Sequence, residues 1–223
     1  MAGYGQFCAV ARAHEVLGGR WTLLVVRELL CGSRRFNDLH RGVPRMSTSL
    51  LTQRLRRLEE FGIVRRDAAG KVWEYSLTEA GEALRPIVMA LGHWGQRWLP
   101  RRAEAEDLDL EPVLVDLRRR VDFDALPRDP MVVRFEIRGH PQHFLLLTPA
   151  EASLCTHNPG FPEPLCVQGP LAALVAWWRG DAGFAEARRM GLAVQGPRPL
   201  ARAFPGWFLR YQLAGIAPAE HGA

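Results

Sequence analysis

Residues 34–78 read RRFNDLHRGVPRMSTSLLTQRLRRLEEFGIVRRDAAGKVWEYSLT. Phe36, Leu39 and Val43 recur at helical spacing, and Gly42 and Pro44 stop the helix they predict. Ser47 or Thr48 can then cap a second helix, in which Leu51, Leu55 and Leu58 stand at i, i+4 and i+7. Thr48, Ser49, Thr52, Gln53 and Arg56 fall on the side opposite the leucines. Beyond it, Ile63 to Arg66 and Val72 to Leu77 alternate as two strands around Asp67-Ala-Ala-Gly70, with Gly70 and Lys71 at the tip. A scaffold helix, a turn, a basic amphipathic helix and a basic hairpin are the layout of a helix-turn-helix with a wing.

A major groove admits one helix, and its exposed side chains must hydrogen-bond base edges and neutralise phosphate. Gln53 and Arg56 suit the first task. Arg34, Arg35, Ser47, Thr48, Arg54 and Arg57 stand where backbone contacts would fix register, with Ser49 and Thr52 completing the polar face and Lys71 at the wing tip. Read without the hairpin, the same face is an ordinary solvated helix surface; a basic wing at that distance favours duplex DNA.

Upstream, Phe7, Val10, His14 and Leu17 predict a helix over 7–17, closed by Gly18-Gly19 as a left-handed cap, and Trp21, Leu24, Val25 and Leu29 begin another apolar face. Downstream, Thr78 caps a long helix in which Ala80, Leu84, Ile87, Leu91, Trp94 and Trp98 form a heptad-like seam, with a kink expected at Pro86. Such a seam calls for a partner surface.

The stretch CAVARAHEVLGGRWTLLVVRELL, residues 8–30, together with the helix-turn-helix and wing, resembles the HxlR family of bacterial winged helix-turn-helix regulators over residues 7–99. Ala9 stands where the family typically has Pro. The resemblance implies dimerisation through the first and last helices, here residues 7–17 and 79–99. That assigns Phe7, Val10, Leu84, Ile87, Leu91, Trp94 and Trp98 to a homodimer interface. It also aligns Cys8 with the amino-terminal cysteine of thiol-based redox or electrophile sensors, with Arg12 one turn away.

Charge divides the 223 residues unevenly. Residues 1–102 carry 17 Lys plus Arg against 9 Asp plus Glu, a net +8, whereas the remainder carries 12 against 15, a net −3. A basic module beside a mildly acidic one predicts two domains with different tasks, residues 1–104 and 105–223. The acidic, Pro-flanked stretch 100–111 reads as a polar linker or an exposed helix start. Only Lys71 among the 29 basic residues is Lys, a bias that a GC-rich genome explains better than phosphate selection.

In the second half, Met131 to Arg138, HFLLLT, EASLCT and EPLCVQG read as antiparallel strands. LAALVAWWRG and FAEARRMG follow as helices, then a strand LAVQG and a helix PRPLARAFPGWF. The fold class expected for the whole chain is therefore α+β, a winged helix-turn-helix domain followed by an antiparallel sheet covered by helices. This order, with NPGF, the Trp-bearing helix before Arg179-Gly180-Asp181 and the strand ending at Gly196-Pro197, resembles sterol-carrier-protein-like domains over residues 110–215. The resemblance implies an apolar tunnel for a lipid-like effector, lined by Phe135, Ile137, Leu145, Leu147, Leu174, Trp177, Trp178, Phe184, Phe204 and Trp207. The alternative is that these side chains fill a dry core or a dimer interface.

Four separated cysteines (Cys8, Cys31, Cys155, Cys166), no charged-then-apolar leader and no long apolar run predict a cytoplasmic protein without disulfides or membrane contact. His140 and His143, split by Pro141, suit a surface loop better than a metal site, so no metal or cofactor is expected. No nucleophile, phosphate-loop or metalloprotease motif is present, and Asp122, Asp124 and Asp129 lack a positioned partner, which argues against an enzyme. A plain lipid carrier would leave the +8 half unexplained. The expectation is a homodimeric, sequence-specific DNA-binding regulator controlled by an apolar effector, with thiol sensing through Cys8 as the alternative.

Overall fold

An amphipathic helix buries its apolar stripe only against other elements, and in this chain two separate sets of stripes close two separate cores. The computed structural model describes residues 3–70, 72–99 and 108–219. These divide into two compact units between Trp94 and Gly95; the linker and boundary expected near residue 105 fall largely outside the described residues, as does Lys71.

The first unit runs α1 (Ala9–Leu17), α2 (Thr22–Leu30), α3 (Phe36–Gly42), α4 (Thr48–Glu60), β1 (Val64–Ala69), β2 (Val72–Leu77), α5 (Glu79–Glu82) and most of α6 (Arg85–Trp98), whose last turn crosses the boundary. Val25, Val26 and Leu29 of α2, Leu39 of α3 and Leu51, Leu55 and Leu58 of α4 form its core, with Met46, Tyr75 and Leu77. Met46 lies in the turn between α3 and α4, whose geometry is held by the bond from the Met46 amide to the Val43 carbonyl (2.9 Å) and by His40 Nε2 against the Met46 carbonyl (2.8 Å).

Beneath that turn sits a buried carboxylate. Arg27 Nη2 donates to Glu28 Oε1 (2.7 Å) and to the Gly42 carbonyl (3.1 Å), joining α2 to the end of α3. Glu28 is only 2% exposed, and a Cβ built on Gly42 would stand 2.0 Å from its carboxyl carbon. Gly42 is thus required for space.

Three expectations change. Gly18 does not take the left-handed conformation (φ −74°); Trp21 does (φ +76°), one residue before α2 begins. A Cβ at Gly18 would meet the exposed His14 ring at 2.3 Å, so a side chain there displaces that ring. The wing strands run on through Asp67↔Glu74 and Ala68↔Trp73 to Ala69↔Val72, so the turn is tighter than expected, with Gly70 at φ +62°. The helix expected from residue 79 is not kinked but broken: α5 ends at Glu82 and α6 starts at Arg85, since Pro86 has no N–H for the Glu82 carbonyl and its ring crowds that turn. The break turns Leu84 inward, where it packs with Val88 on the core, away from the expected interface.

The second unit adds α7 (Leu110–Arg119), β3 (Met131–Ile137), β4 (His143–Leu147), β5 (Ala152–Cys155), β6 (Leu165–Gly169), α8 (Leu171–Arg179), α9 (Phe184–Arg189), β7 (Ala193–Gln195) and α10 (Arg198–Ala203), with a 3-10 turn at Phe204–Trp207. The sheet order is β5-β4-β3-β6-β7. It is mixed: β3 and β6 pair in parallel, against the expected all-antiparallel arrangement. The reason lies in residues 156–164. They return across the sheet, the Pro162 carbonyl accepting from the Val132 amide (2.8 Å) and Glu163 pairing with Arg134 Nε (2.5 Å), so β6 starts at the same end as β3.

The helices gather over one face of the sheet, where Val133, Phe135, Leu145, Val167, Leu174 and Trp207 are buried together. On the other face Glu136 accepts from Arg134, from Gln142 (2.9 Å) and from Gln168. Beside them burial pushes the Cys166 thiol up, with Arg134 pulling the other way. Helix α7 begins inside the stretch expected as a polar linker or exposed helix start and runs on to Arg119, with Leu110, Leu114 and Leu117 at i, i+4 and i+7. Among the described residues no helix is long and apolar enough to cross a membrane.

The Gly42→Ala variant is expected to lose about 1–3 kcal/mol of stability by overpacking the Glu28 site. Adding Glu28→Ala should recover part of that loss, a non-additivity measurable by denaturant unfolding of the single and double variants.

Candidate nucleic-acid interface

The rotation of α4 about its axis is set by Leu51, Leu55 and Leu58, each 1% exposed or less. Burying each such side chain contributes roughly 1.5–3 kcal/mol, so the helix cannot turn its polar side inward. Ser47 starts the helix: its hydroxyl accepts from the Leu50 amide (3.3 Å) and meets Ser49 Oγ at 3.1 Å. Thr52 bonds back to the Thr48 carbonyl (2.9 Å).

Ser49, Gln53 and Arg56 are exposed, and with Thr52, Arg54, Arg57 and Glu60 they line a shallow groove along α4. Gln53 and Arg56, three residues apart, present an amide and a guanidinium side by side, which suits bidentate contact with adenine and guanine edges. Arg54 and Arg57 are half-buried and engaged within the unit. Arg54 Nε donates to the Arg20 carbonyl (3.2 Å) and Arg57 Nη2 to the Glu15 carbonyl (3.2 Å), while the Arg57 guanidinium lies 4.9 Å from the Phe61 ring centre.

Arg34 and Arg35 are exposed and run beside the wing as its third rung. The Tyr75 amide donates to the Arg34 carbonyl (2.7 Å), and Arg35 Nε reaches Glu74 at 3.3 Å. Residues the sequence reading leaves out also sit on the wing. Arg66 stacks on Trp73 (4.3 Å to the ring centre) and lies 3.9 Å from Glu59, and Arg65 bonds Ser76 (2.8 Å) and faces Asp67 (3.3 Å). Strand alternation puts Arg66 and Trp73 on one face and Arg65 and Ser76 on the other, a pattern readable from the sequence once the register is known.

Elsewhere, Cys8 is half-buried at the start of α1, its carbonyl accepting from the Arg12 amide (3.1 Å). In the second unit the ten expected lining residues all belong to one apolar cluster, eight of them buried, with Trp177 and Phe184 partly exposed at its rim. Their rings touch: Trp177 lies 5.3 Å from Phe184 and 5.8 Å from Phe204, and Phe204 5.9 Å from Trp207. Against the expected surface loop, His143 opens β4 and is buried, with Nδ1 at 3.0 Å from the Pro141 carbonyl.

Residues 16–103 match the profile of the HxlR-like helix-turn-helix family. An HTH-type transcriptional regulator of Synechocystis is 37% identical over 102 residues, 44% of this chain and 76% of the relative. The HTH-type transcriptional regulator YvaP of Bacillus subtilis is 38% identical over 91 residues, 40% of this chain and 84% of its own. Among solved structures, the redox regulator HypR in its reduced form is 37% identical over 40% of this chain and 90% of that one, with a TM-score of 0.38.

Gln53→Ala and Arg56→Ala should each relax base preference by roughly 1–3 kcal/mol per lost bidentate contact. The measurement is competition between a duplex selected from a random pool and its single-base variants. Equal weakening on every sequence would assign both residues to phosphate.

Proposed function

Because the chain belongs to the HxlR-like helix-turn-helix family, we propose that it acts as a homodimeric, sequence-specific DNA-binding transcriptional regulator in the bacterial cytoplasm. The observation that carries this reading is the exposed row Ser49, Gln53 and Arg56 on a helix whose opposite side is locked in a core, flanked by a wing with Arg66 stacked on Trp73. The relatives are named as transcriptional regulators, and the exposed polar side chains of α4 suit contact with a groove.

Apolar surfaces left uncovered on α1 and α6 support the homodimer. No residue of α1 or α6 is buried. Phe7 is fully exposed, and Ile87, Leu91, Trp94 and Trp98 are each about half exposed along one side of α6. A nine-residue helix such as α1 is marginal in water without packing. A second copy supplies that packing and pairs two reading helices for half-sites one helical turn, roughly 34 Å, apart.

A second reading concerns residues 110–215. The rim formed by Trp177 and Phe184, where the ring cluster meets solvent, is the place at which an apolar effector would part the rings and enter. Such a molecule changes DNA affinity only by binding two arrangements of the dimer unequally.

Native mass spectrometry tests both readings at once. The purified protein is expected as a dimer and Leu91→Glu as a monomer, with duplex affinity at least roughly tenfold lower once half of the base contacts are gone. A wild-type monomer that binds as tightly would remove the dimer, and a dimer mass that never includes a carried apolar molecule would remove the effector.

A further inference from the structure

We propose that Arg54 and Arg57, although they belong to the basic face of α4, are positioning residues: they hang the reading helix from the α1–α2 turn and leave Gln53 and Arg56 to meet the DNA. The inference deepens the DNA-binding reading and rests on α4 being the helix that enters the groove.

Each arginine is held in two ways. The last carbonyls of α1 have no partner within that helix. The His14 carbonyl takes the Gly18 amide (2.7 Å), and the next, of Glu15, takes Arg57 Nη2 (3.2 Å). A cation bonded at a helix carboxy terminus is also favoured by the helix dipole. With its face over Phe61, the Arg57 guanidinium is drawn toward α1 and away from a fully extended, DNA-facing pose. Arg54 is seated over Gly19, where a Cβ would come within 3.2 Å of its guanidinium carbon, and its Nε–H points at the Arg20 carbonyl.

That carbonyl is a particular one. It belongs to the peptide plane between Arg20 and Trp21, whose rotation sets the φ of Trp21. Trp21, at φ +76°, is the one residue other than glycine in the left-handed region among the described residues. A bulky side chain in that region persists only where its surroundings hold it. Arg54 fixes the plane, the Arg20 guanidinium lies 5.4 Å from the Trp21 ring centre, and the Thr22 amide bonds the Gly19 carbonyl at 3.0 Å. Two hydrogen bonds from α4 thus hold both the end of α1 and the strained entry to α2. The orientation of α1, whose apolar side includes the exposed Val10, is transmitted to the reading helix through them.

The two roles differ in their salt dependence. Removing a phosphate contact lowers the slope of log affinity against log salt by about 0.9 per charge. Removing a positioning residue leaves that slope and lowers discrimination between sequences. The test uses the full chain with Arg54→Gln, Arg57→Gln and Gly19→Val, the last keeping every charge while crowding both Arg54 and Thr22.

Amide hydrogen exchange of the free protein over residues 15–25 is expected to accelerate roughly fivefold to tenfold in each variant. Discrimination between a pool-selected duplex and its scrambled counterpart should fall about tenfold, at the wild-type salt slope. Unchanged exchange, or a slope reduced by about 0.9 in either arginine variant with Gly19→Val behaving as wild type, would overturn the proposal. If the wild-type protein binds no duplex, the DNA-binding reading fails by itself, and the exchange measurement still decides whether the two arginines hold the turn.

Discussion

The seating of Leu51, Leu55 and Leu58 in the first core is the constraint from which the reading surface follows. With those side chains buried, the azimuth of α4 is settled, and Ser49, Gln53 and Arg56 have nowhere to point but outward. Supports at either end keep the helix from sliding. Ser47 caps its start, and the buried Glu28 against Gly42 shapes the turn before it. Beyond its end, Arg66 spans the space between Glu59 of α4 and Trp73 of the wing, tying helix and hairpin into one surface.

The same economy explains why a helix with three arginines offers fewer cations to a ligand than its composition suggests. Of its three arginines, two are bonded to carbonyls of their own domain, and Arg56 is left exposed beside Gln53. Net charge attracts a polyanion at long range; the pairing of individual guanidinium groups decides which of them contact it.

The second unit is a fold of its own. Its sheet is closed on one face by helices and aromatic rings, and on the other by a return segment pinned through Arg134 and Glu163. Glu136 gathers three donors there, which satisfies a carboxylate that would otherwise oppose burial.

Much of this was legible in the residues. Period-3.6 leucines located α4, alternation and Gly70 located the wing, and Val133, Phe135 and Ile137 located the central strand, because each pattern records which face of one element is buried. Other features depend on partners distant in the chain. Nothing in GGRW says that Trp21, not a glycine, turns left-handed; that follows from the Arg54 bond 34 residues away. The inward turn of Leu84 and the parallel pairing of β3 with β6 arise from a broken helix and a returning loop. The sequence by itself therefore determined which segments are helix or strand and which side of each is apolar. Tertiary structure alone decided which cations are free, which strands are neighbours and where strain is held, since those depend on hydrogen-bond partners that only folding brings together.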